Sequence, residues 1–554
     1  MTLQELLGQA RELLGRQAWG EAVALMAPFA PRVESNPLQR YYGEALRRAG
    51  RAQEAIEALM KALALKPDDT DAYLQLAFTF QALAMPEEAA ECFRTVALLQ
   101  PHSIQAQAYQ ALGDQQAARW EHFDANLTAL QQAIAARPED ADDEFAVPFA
   151  LVALPHDPAL LLKAARISSR FLSRGLKPLP PLKATAKPRL RIGYLSADFH
   201  AHATAALLVE VLERRDRERF EVLLFSHGPD DGSPQARRIR AACDRFIDVS
   251  TLDTAAIAAR IHAEEVDIVV DLKGHTADSR FAALARRPAP VQVSWLGFPG
   301  SSGAGFIDYI VGDAIVTPLA DAPHYSEQIA QLPGCYQPAD GTRERTEPPS
   351  RAELGLPGDA FVLLGANPVY KITPPVFEAW MEILRRAPRA VLWQLSAGEQ
   401  TDARLSAEAA RRGIEPARLV FMPKTDMATH WRRLAAADLA LDTWPCNGHT
   451  TSRDVLQAGV PLLALRDGGI GFAGRVAASI LAEAGLADWA VDGVDAYIEK
   501  AVALANGSAP RPAVAGAGGD AALFARGLEA LYLRMWERAA AGLPPAALPA
   551  QVTS

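Results

Sequence analysis

Ala437-Asp438-Leu439-Ala440-Leu441-Asp442-Thr443-Trp444-Pro445-Cys446-Asn447-Gly448-His449-Thr450-Thr451-Ser452-Arg453-Asp454-Val455-Leu456-Gln457 is the stretch on which the reading of this chain turns. An apolar run, Leu439 to Leu441, ends in an acid and a turn-forming Trp-Pro-Cys-Asn-Gly. His449 and two threonines follow, and then Val455, Leu456 and Val460 at helical spacing. The pattern predicts strand, tight turn and helix. The helix begins beside two hydroxyls, where unsatisfied backbone N–H groups and the positive dipole end point outward, a ready site for a diphosphate. The alternative is that Thr450 or Thr451 merely caps the helix. Two threonines preceded by Asn-Gly-His, at the C-terminal end of a parallel strand, favour the ligand site.

Outward from this stretch, apolar runs alternate with helical segments. Leu190 to Leu195, Phe220 to Phe225, Val266 to Asp271, Val291 to Trp295 and Tyr309 to Val311 form one set. After a Pro- and charge-rich break (Gln337 to Gly358), Phe361 to Gly365, Ala390 to Leu395, Leu419 to Met422, Leu439 to Leu441 and Leu462 to Leu465 form another. Two sets of strand-then-helix predict two doubly wound Rossmann-like α/β domains, with ligands bound in a cleft between them.

The N-terminal third differs. Gly50-Arg51-Ala52-Gln53-Glu54-Ala55 returns in spirit as Ala84-Met85-Pro86-Glu87-Glu88-Ala89, and Pro67 as Pro101, both offsets being 34 residues. That is the period of the tetratricopeptide repeat, an α-helical superhelix. Trp19-Gly20-Glu21-Ala22 reads as an earlier copy, and Asp124-Ala125 with Pro138 as a degenerate later one. The concave face of such an array suits an extended peptide, although a short array can equally serve only to pack on the next domain. The expected organisation is a repeat domain over residues 1–138, a helical connector over 139–187 with a helix near Pro158 to Ser173, and catalytic α/β domains over 188–345 and 346–545. Leu176 to Pro181 reads as a stiff linker.

Composition sets the broad class. A chain of 554 residues with 22% charged residues is ordinary for a multidomain soluble protein. A net charge of −10 argues against a general nucleic-acid or membrane-surface binder but leaves room for a local basic patch. Cys92, Cys243, Cys335 and Cys446 lie too far apart for a disulfide framework or a CxxC metal site, so reduced thiols and a cytoplasmic location are expected. Charged residues interrupt Met1 to Gly20, unlike a signal peptide, and no apolar run approaches a membrane span.

Candidate chemistry lies at the strand ends. Ser196 to Thr204 brings Asp198 and His202 together on a loop, able to relay a proton to or from a hydroxyl, or to form a plain surface turn. Leu296 to Gly303 carries glycines that either admit a ligand closely or build a structural turn. Lys371, after Phe361 to Gly365, would neutralise a leaving diphosphate if it faces the Thr450–Thr451 helix start, and is otherwise a solvated surface charge. His430 can stack on a base or lie on a helix surface. Asp454 can accept bonds from a ribose or simply face the helix dipole.

Taken together and in this order, these stretches closely resemble the O-GlcNAc transferase family, which includes the plant SPINDLY-type proteins. The matching runs are Arg191 to His202, Arg287 to Gly303, Asn367-x-x-Tyr370-Lys371, Asp442 to Asp454 and Arg475 to Ser479. The resemblance implies a GT-B fold and an inverting, metal-independent transfer of GlcNAc from UDP-GlcNAc to Ser or Thr hydroxyls of proteins. The acceptor would enter through the repeat groove, and no cofactor would be needed. By position, Lys371 would bind the diphosphate with Thr450 and Thr451, and His449 would contact the sugar. His430, Arg433 and Asp454 would hold the nucleoside, and Asn367 would belong to the same UDP-sugar site. Asp198 and His202 would sit near the acceptor hydroxyl, with Thr204 and Gly297 to Pro299 lining the sugar pocket. Three departures stand out: Pro368 where animal members have glutamine, Met427 where they have lysine, and only a short link where they insert a long domain. Two other readings remain: the same architecture with GDP-fucose as donor, and a nucleotide-binding repeat scaffold with little turnover.

Overall fold

The period of 34 residues is written in the helix caps. Ser35, Asp69 and Ser103 each accept a hydrogen bond from a backbone N–H three residues on, opening helices Asn36–Arg48, Thr70–Ala82 and Ile104–Gln116. Ala52–Leu65, Pro86–Leu99 and Phe123–Ala136 return antiparallel to them, and Leu3–Gly15 with Trp19–Met26 precede them. The three equivalent positions Gly43, Ala77 and Ala111 are small because the partner helix passes close by. A Cβ on Gly43 would stand 2.6 Å from Leu59 Cγ. In this computed structural model the described residues are 1–16, 18–343, 347–466, 471–514 and 519–551.

Helices Pro148–Val152 and Pro158–Ser173 connect the array to the α/β region, the second capped by Asp157. They do not merely span a gap. Ala146, Leu151, Leu154 and Ile167 share one apolar cluster with Ile104 and Leu130 of the array, Phe298 of the first α/β half, and Cys446 and Ala473 of the second.

The first sheet contains β1 Leu190–Ser196, β2 Phe220–Ser226, β3 Arg245–Asp248, β4 Ile268–Asp271, β5 Val291–Ser294, β6 Tyr309–Gly312 and β7 Gln328–Gln331, in the order β3-β2-β1-β4-β5-β6-β7. The second contains β8 Phe361–Gly365, β9 Ala390–Leu395, β10 Leu419–Met422, β11 Leu439–Leu441, β12 Leu462–Leu465 and β13 Ala490–Val491, in the order β10-β9-β8-β11-β12-β13. The named strands of each sheet pair in parallel, as helical crossovers require. In each sheet the order reverses once, between β1 and β4 and between β8 and β11, which opens a crevice at the carboxyl ends of those strands.

The division at residues 345 and 346 lies outside the described residues. The end of the expected second domain packs differently from its place in sequence. Helix Ala521–Ala540 lies on the first half: Tyr532 and Tyr194 hydroxyls meet at 3.2 Å, and Glu529 accepts from the Asp216 N–H at 2.7 Å. Leu548 then bonds Ile329 and Gln331 beside β7. The span 346–545 is therefore not one spatial unit, because the apolar face of the last helix is buried against the first sheet's helices.

Candidate functional site

The turn after β11 is built around one acid. Asp442 Oδ1 accepts from the N–H groups of Thr443 (2.8 Å) and Gly448 (2.6 Å) and from Asn367 Nδ2 (3.0 Å). Burial pushes its carboxyl up to about 6. Asn367 thereby ties the end of β8 to the turn after β11. Gly448 allows that approach, since a Cβ there would come within 2.4 Å of Ser452 Oγ and 2.9 Å of Asn367 Oδ1.

Lys371 follows from the same junction. It is buried, and its ammonium donates to Asn447 O at 2.6 Å. Asn447 is itself held, donating from Nδ2 to Thr443 O (2.9 Å) and accepting on Oδ1 from the Ala477 N–H (3.2 Å). Burial opposes the charge on Lys371 while Cys446, Tyr370 and Asp442 favour it, and the balance keeps the ammonium above its ordinary value.

Helix Thr450–Gln457 starts three residues beyond Asn447, with His449 at its cap and no side chain capping it. Thr450 and Thr451 occupy the first helical turn, half-buried, so the capping alternative does not hold. The structure therefore sets a buried ammonium beside an uncapped helix N-terminus, two sources of positive potential for one anion. The imidazole of His449, 3.4 Å from Ala473 O through Nε2, is pulled down to about 3 by burial and by Lys371 and is neutral at pH 7. With Nε2 carrying the proton, Nδ1 is an acceptor for a sugar hydroxyl or amide.

The residues assigned to a nucleoside form a second cluster. Asp426 caps helix Met427–Leu434. Arg433 donates to Pro423 O (2.6 Å) and to His430 Nδ1 (2.9 Å), so it orients the histidine and is itself buried. Burial and Arg433 pull His430 down to about 4, leaving a neutral flat ring. Asp454 is engaged: Arg343 donates to Oδ1 (2.5 Å) and Trp431 Nε1 to Oδ2 (3.0 Å), and the Arg343 guanidinium lies 3.4 Å from the Trp431 ring centroid. A ribose at Asp454 would have to displace Arg343.

In the first half the acid is also committed. Lys273, on the loop after β4, donates to both oxygens of Asp198 at 2.9 Å, and both side chains are buried. Thr204 Oγ1 reaches Asp198 Oδ2 at 3.3 Å, and His202 Nδ1 lies 3.6 Å from it. His202 caps helix Ala203–Arg214 by accepting the Thr204 N–H on Nδ1 (3.1 Å), which leaves Nε2 as the protonated nitrogen of its neutral form. Burial lowers the histidine further, with Asp198 opposing. Neither side chain is thus a free base as arranged here. At Gly297 a Cβ would lie 2.2 Å from Leu272 O, and at Gly303 one would lie 2.3 Å from the Ala165 carbonyl carbon. These glycines, with buried Pro299 between them, answer to backbone packing against the β4 loop and the connector.

Sequence reasoning missed Lys273, Arg343, Trp431 and the organising role of Asp442. Lys273 follows β4 at the switch point, so the strand-end rule that flagged Asp198 would have found it. Among the described residues, no three His, Cys, Asp or Glu side chains gather as a metal site, and no helix is long and apolar enough to cross a membrane.

Comparison with known proteins gives the following. The pattern of glycosyl transferase family 41 matches residues 179–344 and 342–515, more than half of the chain, and a TPR repeat pattern matches residues 43–83. The Arabidopsis thaliana protein named "Probable UDP-N-acetylglucosamine–peptide N-acetylglucosaminyltransferase SEC" is 38% identical over 379 residues, covering 65% of this chain and 38% of the relative. A Caenorhabditis elegans UDP-N-acetylglucosamine–peptide N-acetylglucosaminyltransferase is 27% identical over 478 residues, covering 64% and 41%. The chain thus spans about two fifths of the length of these relatives. Among solved structures, a mutant of the Thermobaculum terrenum O-GlcNAc transferase superposes with a TM-score of 0.76 at 28% identity, over 92% of this chain and 98% of that one.

Proposed function

This chain belongs to glycosyl transferase family 41, and on that premise we propose that it transfers GlcNAc from UDP-GlcNAc to Ser or Thr hydroxyls of proteins, with inversion and without a metal. The observation that carries the reading is the buried Lys371 ammonium beside the uncapped N-terminus of helix Thr450–Gln457. As the bond from the anomeric carbon to the diphosphate breaks, negative charge grows on the leaving oxygens. A preorganised ammonium and backbone N–H groups stabilise it most at that moment. They supply the positive charge that a divalent cation supplies elsewhere. His449, neutral, would accept from the sugar, and His430 would stack on the uracil. His202, once its Thr204 bond loosens and its proton sits on Nδ1 facing Asp198, would take the acceptor proton on Nε2.

The acceptor would be a protein segment lying along the repeat array, whose Gln115 side chain donates to Tyr370 O, one residue from Lys371. Cytoplasmic residence fits the four free cysteines.

Calorimetric titration with UDP, UDP-GlcNAc and GDP-fucose, on wild type and Lys371→Met, tests the reading. UDP and UDP-GlcNAc should bind, the substitution should weaken both, and transfer should fall roughly 100- to 1000-fold. Preference for GDP-fucose would reassign the donor. A folded Lys371→Met that still transfers at the wild-type rate would remove the phosphate role.

A further inference from the structure

Between the repeat array and the strand ends of the first sheet lies a cavity of about 750 Å³. Trp19, Arg47 and Arg48 of the array form one wall, and His227 and Arg280 belong to the opposite one. Asp198 and His200, from the loop after β1, also line it. The cavity is therefore continuous with the side of the site assigned to the acceptor.

Four aspartates also line it, of which Asp198 is committed to Lys273 and Asp230 to Arg240, while Asp248 and Asp278 stand outside ion-pair distance of its remaining cations. Arg240, nearby, is paired with Asp230 at 2.8 Å. Arg47, Arg48 and Arg280 have no carboxylate within ion-pair distance among the described residues. Arg47 bonds only Gln75 Oε1 (3.0 Å) and stacks on Phe78, and Arg48 lies over Trp19 with its carbon 5.7 Å from the ring centroid. Arg280 Nη1 is buried with no hydrogen-bond partner, and so is His227 Nε2. Glu44 and then Asp278 favour the charge on Arg47, and Asp278 and Asp253 that on Arg280, all from beyond ion-pair distance. Burial and then Arg48 pull Arg47 down to about 10 and lower Arg280, so the like charge of Arg48 bears on both guanidiniums.

Clustered guanidiniums with unused donors fit a carboxylate or phosphate. The volume suits a short peptide segment better than a lone ion. We propose that this cavity is an acceptor subsite that takes an anionic side chain of the protein substrate, a Glu, an Asp or a phosphorylated residue, flanking the hydroxyl to be glycosylated. The proposal rests on the glycosyltransferase reading, since the acceptor role of Asp198 links the cavity to the reaction.

The test measures binding of fluorescein-labelled Ser/Thr peptides by anisotropy, in three versions: flanked by Glu, by Gln, or by phosphoserine. The proteins are wild type, Arg48→Gln and Arg280→Gln, the first variant exposing the array wall alone in case Arg280→Gln misfolds. Wild type should prefer an anionic peptide by about tenfold or more, and either variant should erase most of that preference while leaving the Gln peptide unchanged. The Glu and phosphoserine arms show which anion is favoured. Equal binding of all three peptides to wild type, or a preference surviving in a folded variant, overturns the proposal. UDP titration and acceptor-free hydrolysis of UDP-GlcNAc run alongside. Their failure with the anion preference intact overturns the glycosyltransferase reading and the acceptor role with it, leaving an anion-binding peptide cavity, whereas loss of the preference with both intact overturns this subsite alone.

Discussion

Replacing Lys273 by methionine probes the charge pair at the switch point of the first sheet. The ammonium lies 2.9 Å from each Asp198 oxygen, and each side chain is only 8% exposed. At that distance the gross attraction is about 6 kcal/mol at an effective dielectric of 20. Desolvation offsets much of it while both partners are present. Removing one partner leaves a carboxylate buried and unpaired, a loss of about 3–5 kcal/mol. The nearby groups do not replace the ammonium: Thr204 Oγ1 is a neutral donor at 3.3 Å, and His202, lowered by burial, brings no charge at neutral pH. Methionine follows the lysine stem, so little cavity opens to add to the cost. Asp198→Asn alone should strand the ammonium in the same way. The double variant Asp198→Asn/Lys273→Met carries no buried charge and should recover about 2 kcal/mol or more over either single variant. Scanning calorimetry reads this directly, because each kcal/mol moves the midpoint by about 2–4 °C in a unit of 150–250 residues. An unmoved midpoint in Lys273→Met, or a double variant showing the sum of the two losses, would refute the pair as drawn.

Asp442, pushed up to about 6 by burial, is held preferentially in its protonated form by the fold. Its contribution is fully present below the unfolded value near pH 4 and is lost as pH rises through about 6. Midpoint against pH should therefore fall less steeply from pH 4 to 6.5 in Asp442→Asn than in wild type; parallel curves would contradict the shift. Gly297→Ala sets a methyl 2.2 Å from Leu272 O and should cost about 1–3 kcal/mol or more in thermal unfolding. Unchanged stability with loss of transfer would instead make Gly297 a sugar-pocket residue. Transfer should persist within about twofold when chelator replaces magnesium, since the ammonium and helix start carry the charge; a tenfold fall in initial rate would assign part of that work to a metal.

The central strands were legible because buried parallel strands are continuous apolar runs, as in Val-Leu-Leu of β8 and Ile-Val-Val of β4. Edge strands were legible only where they too are apolar, as in Leu419–Met422; Arg245–Asp248 and Gln328–Gln331 mix or end in polar residues and do not separate from a loop. The repeat array was legible from its period, and its caps at Ser35, Asp69 and Ser103 repeat the same spacing. The candidate site was readable where strand-end logic applied, at Asp198, Lys371 and Thr450–Thr451. It was unreadable where the site is built from pairs distant in sequence, as between Asp198 and Lys273 or Arg343 and Asp454, because no local pattern marks a contact across 75 or 111 residues. The last helix illustrates the same limit, since its amphipathic face does not say which half it covers.

The shared apolar cluster under the connector bears on how the molecule could be dismantled or rebuilt. Cys446 sits one residue from the carbonyl that holds Lys371, and Tyr370 packs its ring 5.9 Å from Phe149 of the connector. The repeats are therefore no detachable antenna: a chain cut after the last hairpin would leave the floor of the turn after β11 wet. Grafting a foreign array onto this chain would require transplanting the surface from Ile104 through Ile167 along with it, because that surface packs on both α/β halves as well as on the repeats.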